Sequence, residues 1–477
     1  MQHPPLGLRT TVNFSVGAVA FGVKDTGFSY FLLIYYQQVL GLDALYVSLA
    51  LSIAIAVDAV TDLLIGYGSD NLRSRWGRRH PLMYAAILPT VTALYFLWNP
   101  PDWIGGGELF LYLLVMAILV RTCVTFFEVP NAALSAELTY DYDERTKLMA
   151  YRFAFGLWGG LGVMFLAYMF LLQPDAQTEV GTLSQVGYEN YGVMAAAVML
   201  VAMLWSAIGT HDRIPYLPQP AAKTLMGTKS VLSKILQSLT NRSFLAVFVS
   251  RIFGGAAAGI ATNLSIYFAT YFWMLTSDQI SLFPLVALLS VTLASIMAPL
   301  ISRRYNKKRV ALSAALFLVF WTPLPLLLRL QDILPANGHD LLLPLLLLHG
   351  LIDGIAAVIS GILLGAMIAD IVEDAEVVTG RRNEGLFFAA NGFAGKMVSG
   401  VGILVAGLIL SAVEFPTQAS PDDVDPSKIG DLATIYIPII AMLYLSGCAA
   451  LFFYQISRSG HEETLRQLQN KKERPID

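Results

Sequence analysis

The sequence predicts an all-α integral membrane protein: twelve transmembrane helices in two six-helix halves, with both termini cytoplasmic. Three observations carry this. The chain is 56% hydrophobic and only 14% charged, against roughly 25% charge in a soluble domain. Twelve apolar runs reach the roughly 20 residues that a bilayer-spanning helix needs. Lysine and arginine gather on alternate connections between those runs.

The runs lie near 10–37, 44–69, 80–99, 108–139, 146–172, 190–211, 243–273, 279–301, 309–330, 341–370, 384–412 and 432–456. A cytoplasmic N-terminus puts Arg9, Arg73, Arg75, Arg78, Arg79, Arg145, Lys147, Arg303, Arg304, Lys307, Lys308, Arg309, Arg381 and Arg382 inside, with ten more basic residues in 213–242 and the C-terminal tail. The opposite loops hold Lys428 and, at a helix end, Arg329. The polar connection 213–242, with Pro215, Pro218 and Pro220, separates bundle 1–212 from bundle 243–457, and 458–477 is a cytoplasmic tail. The turns SDNLRSRWGRRHP after the second run and SRRYNKKRV after the eighth echo each other. Two six-helix halves with a repeated basic turn are the signature of the major facilitator architecture, whose halves rock about a midplane site.

Other classes find no support. A net charge of −3 gives no basic field for nucleic acid. Cys123 and Cys448 sit in apolar runs and read as small core residues, not a disulfide or metal framework. The six histidines are scattered, mostly in loops, and no phosphate loop, metal-protease motif or nucleophile–base pair is present. No enzyme and no cofactor are expected beyond a coupling ion. MQHPPLGLRT lacks the apolar core of a removable signal peptide.

The informative residues are charges at bilayer depth, each of which costs a few kcal/mol and therefore needs a reason. At 1.5 Å per residue from the cytoplasmic ends, Asp58 lies about 18 Å deep, Asp62 about 12 Å, Glu128 about 19 Å, Lys396 about 18 Å and Lys24–Asp25 about 21 Å. Arg152 and Arg251 come out shallower, at roughly 9–12 Å. Arg121 falls nearer the outer side of its long run, where it can snorkel. Asp58 and Asp62 are i and i+4 and share a helix face, with Thr61 beside them; Thr125 and Glu128 are i and i+3 on another. Two carboxylates with hydroxyl oxygens suit a hard monovalent cation such as Na+ or, with one carboxylate protonated, a proton. The competing reading pairs Asp58 and Asp62 each with a buried base and binds nothing. Lys24 and Asp25, as neighbours, cannot share a face; they seek a polar substrate or an interhelical partner such as Glu128 or Arg152.

On the cytoplasmic side, Asp70, Arg73, Arg75, Arg78 and Arg79 of one half and Asp370, Glu373, Asp374, Glu376 and Arg381 of the other suit a gate whose salt bridges break on opening, or simply solvated helix ends. Gly156, Gly159, Gly160, Gly162, Gly392, Gly395 and Gly400 permit close helix approach.

The stretches FGVKDTG (21–27), DAVTD (58–62), SRWGRRHP (74–81), EVP (128–130), YRF (151–153), ADIVEDAE (369–376), TGRRNEG (379–385) and GK (395–396) together resemble the glycoside–pentoside–hexuronide:cation symporters, the melibiose-permease type of the major facilitator superfamily. The resemblance runs almost end to end. It implies cation coupling through Asp58, Thr61, Asp62 and Thr125, substrate contact at Lys24, Asp25, Glu128 and Arg152, and Lys396 linking the two sites. The melibiose type has asparagine at Thr61, aspartate at Glu128 and tryptophan at Ala132, which leaves open whether the ion is Na+, Li+ or H+ and whether the substrate is a galactoside. The implied function is cation-coupled symport of a sugar, glycoside or uronide by alternating access, in a cell membrane and as a monomer. The alternatives are a lysolipid carrier, which the same branch includes, and a transport-inactive sensor.

Overall fold

A computed structural model describes residues 6–139, 141–176, 178–217, 241–379 and 384–456, with 460, 463 and 464. Its regular structure is helical among the described residues. Among the described residues, eleven helical stretches are long and apolar enough to cross a membrane. The expected first span is helical too, but segmented: α1 (Leu8–Ser15), α2 (Ala18–Thr26), a π-helical turn (Gly27–Phe31), α3 (Leu32–Ile34) and a second π turn (Tyr35–Val39). Then follow α4 (Ala44–Asn71), α5 (His80–Trp98), α6 (Glu108–Leu138), α7 (Tyr142–Leu166) and α8 (Gln185–Gly209). After the 218–240 stretch come α9 (Arg242–Tyr267), α10 (Ser277–Arg304), α11 (Lys307–Trp321), α12 (Leu324–Leu330), α13 (Leu342–Thr379), α14 (Glu384–Ala412) and α15 (Pro426–Leu451).

The ends of these helices follow from local chemistry. Asp43 caps α4, its Oδ1 accepting from Leu45 N at 2.8 Å. Pro81 sits in the first turn of α5, where a missing N–H is harmless. The ninth expected run breaks into α11 and α12 at Thr322–Pro323, since proline cannot supply the next helical hydrogen bond. At 38 residues, α13 is about 57 Å long. It outruns the apolar stretch by nine residues because a helix continues into water once its backbone bonds are closed internally.

The described chain forms two compact units. One holds the residues before 218 together with Thr262–Leu288 and Ile403–Ile429; the other holds Leu289–Gly402, the chain from 241 to 261 and the chain from Gly430 onward. Within the first unit, the ends opposite the basic turns are locked together. Gln37 and Gln38 donate to the Pro416 carbonyl at 3.1 and 2.7 Å. The Tyr267 hydroxyl donates to Gln37 at 2.9 Å, and that of Tyr271 to the Ala419 carbonyl at 2.8 Å. Beside them Phe31, Tyr35, Trp98, Tyr188 and Tyr191 form a buried aromatic cluster.

Two features recur in both units and give the weak sequence echo a structural meaning. The first is a glycine crossing. Gly22 of α2 packs so tightly on α7 that an added Cβ would lie 1.8 Å from the Gly156 carbonyl oxygen, and a Cβ on Gly402 of α14 would lie 2.8 Å from Gly259 Cα of α9. Each joins the first and fifth spans of a half. Of the glycines singled out from sequence, Gly156, Gly159 and Gly160 lie at such contacts, whereas Gly162 and Gly395 face open space. Gly22→Ala is therefore expected to destabilise by about 1–3 kcal/mol through overpacking, and Gly162→Ala to be neutral; thermal unfolding in detergent distinguishes them.

The second feature is an ionic clasp. In the first unit Arg78 and Arg79 both reach Glu137 at the end of α6, at 2.8 and 2.7 Å. In the second, Lys307 grips Asp370 of α13 at 2.7 Å. Each basic turn thus holds the end of the fourth span of its half.

Candidate functional site

α4 and α6 lie side by side in the first unit and bring the acidic face of one against the hydroxyl of the other. Thr125 Oγ1 is 2.9 Å from Asp58 Oδ1, 3.1 Å from Asp62 Oδ1 and 3.0 Å from the Arg121 carbonyl of its own helix. Asp58 and Thr125 are each 2% exposed, so the carboxylate is held away from bulk water. A hydroxyl has one hydrogen to give, yet three acceptor oxygens surround this one. Thr61 stands apart: its hydroxyl donates to the Asp58 carbonyl within α4 at 3.0 Å, the usual resting place of a helical threonine.

Arg121 does not snorkel. It is 6% exposed, its Nη1 lies 3.3 Å from Asp58 Oδ2, and its guanidinium covers the Phe28 ring at 4.6 Å. The depth arithmetic misplaced it because α6 has 31 residues, more than the bilayer requires. Arg121 is 13 residues from its start, about 20 Å along the axis, and so reaches mid-helix opposite Asp58. The pairing reading thus holds for Asp58, but Thr125 bridges both carboxylates in the same site.

The expected substrate residues occupy the neighbouring part of this unit. Lys24 is buried over the Phe21 ring at 4.6 Å, with Nζ 4.0 Å from Asp25. The Asp25 side chain is 56% exposed. A carboxylate facing lipid at that depth would cost about 2.5–3.5 kcal/mol, so physical chemistry favours a watery cavity on that side. Arg152 and Glu128 pair at 3.7 Å, both partly exposed. Lys396 and Arg251, on α14 and α9, are half-buried in the second unit.

Among the expected gate residues, Arg79 also binds Ser69 at 2.8 Å and Asp70 at 2.5 Å, while Arg73 and Arg75 are exposed, the latter over Trp76. Glu373 is half-buried on α13; Glu376 lies on the same helix, its side chain outside the described residues, as is Arg381. The clasps described above are internal to each unit. Sequence reading missed Glu137, 4% exposed, by treating helix-end carboxylates as solvated. It also missed Asp353 of α13, which accepts from Thr322 Oγ1 at 2.6 Å, one turn from His349 stacked on Trp321; an acid in the run LIDGIAAV is the signal that could have found it. Two histidines are not scattered: the rings of His80 and His211 lie 5.8 Å apart, with the Tyr84 hydroxyl 3.0 Å from His211 Nδ1.

The family model for MFS/sugar transport proteins matches residues 13–458. The chain belongs to the MFS/sugar transport protein family. An uncharacterized symporter of Synechocystis, sll1374, is 27% identical over 98% of both chains. The putative glycoside/cation symporter YagG of Escherichia coli is 24% identical over 97% of this chain and 95% of its own. Among solved structures, the nucleoside transporter NupG superposes with a TM-score of 0.64 at 14% identity, covering 94% of this chain and 99% of that one. This likeness gives the major facilitator fold. The motif resemblance to the glycoside–pentoside–hexuronide symporters fits these matches, and the protein is a multi-pass membrane transporter of the major facilitator superfamily, not an enzyme.

Proposed function

We propose that this family member is a secondary symporter that couples entry of a sugar, glycoside or uronide to a monovalent cation, Na+ or H+, bound at Asp58, Asp62 and Thr125. The observation that carries the reading is the Thr125 hydroxyl bridging two carboxylates deep in an apolar helix pair. Lys24, Asp25, Glu128 and Arg152 supply the charged donors and acceptors that hydroxyl-rich substrates need, and Lys396 is assigned to communication between the sites. The cation drives uptake only if it binds the substrate-competent state better than the alternative.

Alternating access then requires the packed end at Gln37, Gln38 and Pro416 to part, and the charged ends at Arg73–Arg79 and Asp370–Arg381 to act as the opposite gate. Purified protein in proteoliposomes, screened with 4-nitrophenyl glycosides, uronides and lysolipids under varied Na+, Li+ and pH, tests the reading. Cation-stimulated uptake of a glycoside or uronide is expected. Uptake of lysolipid alone, or equilibration indifferent to every cation, would refute it.

A further inference from the structure

Arg121 stands beside the proposed cation site, on the other oxygen of Asp58 from the one that Thr125 meets. Its guanidinium lies against Asp58 Oδ2, one of the oxygens that a bound metal ion would recruit. It is wedged between that carboxylate and the face of Phe28, itself 1% exposed, with its Nε buried and without a hydrogen-bond partner among the described residues. Phe28 belongs to the π turn of the segmented first span, so a local widening of that span helps to hold the arginine in place. The residue is fixed by packing as well as by charge, and it delivers a permanent positive charge to Asp58.

Resting on the symport reading above, we infer that Arg121 is a tethered cation that reserves this site for a proton and excludes Na+. A sodium ion must gather several oxygen ligands while enduring the repulsion of the guanidinium at close range. A proton needs neither. Placed on Asp62, it turns that carboxyl group into a hydrogen-bond donor to Thr125 Oγ1, while Thr125 keeps its hydrogen and directs it to Asp58 Oδ1, whose other oxygen faces Arg121. The hydrogen bonds then run in one direction, from Asp62 through Thr125 to Asp58. The proton comes from water on the entry side and returns to water on the other, with no covalent step. Charged groups on the helices of this unit include Lys24 and Asp25 on α2, Asp58 and Asp62 on α4, Arg121 and Glu128 on α6, and Arg152 on α7.

The test compares full-length wild type, Arg121→Gln, Arg121→Lys and Asp62→Asn, with radioactive Na+ as probe against choline at matched ionic strength. Uptake of 4-nitrophenyl glycosides in proteoliposomes is followed in parallel. Wild type and Arg121→Lys are expected to bind no Na+ above background and to respond to a pH gradient. Arg121→Gln is expected to gain Na+ affinity by more than about tenfold and become sodium-stimulated, as removal of a neighbouring like charge dictates. Saturable Na+ binding by wild type, a measurement that needs no variant to fold, would overturn the inference; so would an Arg121→Gln protein whose ion dependence matches wild type. Asp62→Asn separates the two claims: concentrative uptake by that variant defeats the symport reading itself, whereas Asp62-dependent uptake in a wild type that binds Na+ defeats only the role of Arg121.

Discussion

Asp62→Asn is expected to abolish concentrative uptake while leaving exchange of labelled for unlabelled substrate across the membrane. The substitution keeps the size of the side chain and a hydrogen-bonding partner for Thr125, but removes the charge that a cation neutralises. A single positive charge moving with substrate through a membrane potential of about 100 mV supplies about 2.3 kcal/mol, roughly a fiftyfold concentration ratio. That ratio should fall to simple equilibration in the variant, because substrate groups at Asp25, Glu128 and Arg152 are untouched. Parallel measurement of accumulation and of counterflow in proteoliposomes separates the outcomes. Loss of both activities would place Asp62 in substrate binding or folding; retention of full accumulation would remove it from coupling.

Glu137→Gln is expected to have the largest effect on stability. Two guanidinium groups converge on one carboxylate oxygen, and the Arg79 and Glu137 side chains are each about 5% exposed. Removing the acid leaves two cations close together, with the largely exposed Asp70 still against Arg79, and breaking a buried pair costs about 3–5 kcal/mol. Arg73→Gln and Arg75→Gln, at exposed positions, should cost less than about 0.5 kcal/mol. Thermal unfolding in detergent reads the contrast. If Glu137→Gln unfolds at the wild-type temperature, the clasp at the end of α6 is not structural, and its proposed counterpart at Lys307 and Asp370 loses its rationale.

The legible part of the fold was the part set by the bilayer. Apolar runs of spanning length located the helices, and α4, α5 and α14 begin where hydropathy placed them. The segmented first span was illegible because its π turns are imposed by tertiary packing, where Phe31, Tyr35 and Tyr36 wedge against neighbouring rings. Helix length beyond the membrane, as in α13, leaves no hydropathy signal at all.

The site divides in the same way. Asp58, Asp62 and Thr125 could be read because charge on an apolar helix demands a reason, and i, i+4 spacing places that reason on one face. Arg121 could not, since its meaning depends on which residue of another helix stands opposite. Asp353 obeys the same rule as Asp58: it is a charge in an apolar run, answered here by the Thr322 hydroxyl at 2.6 Å. Glu137 needed the return of the 72–79 turn onto α6, a contact between residues 58 positions apart.

The central claim is that substrate and cation cross together, through the carboxylate pair on α4. Its most direct test adds a transported glycoside to proteoliposomes with no imposed gradient, while external pH and entry of radioactive Na+ are recorded alongside glycoside entry. The account predicts that a cation enters with the glycoside in fixed ratio and on the same time course, and that Asp62→Asn removes the cation flux while exchange persists. Glycoside entry with no accompanying proton or sodium in the wild type would contradict it.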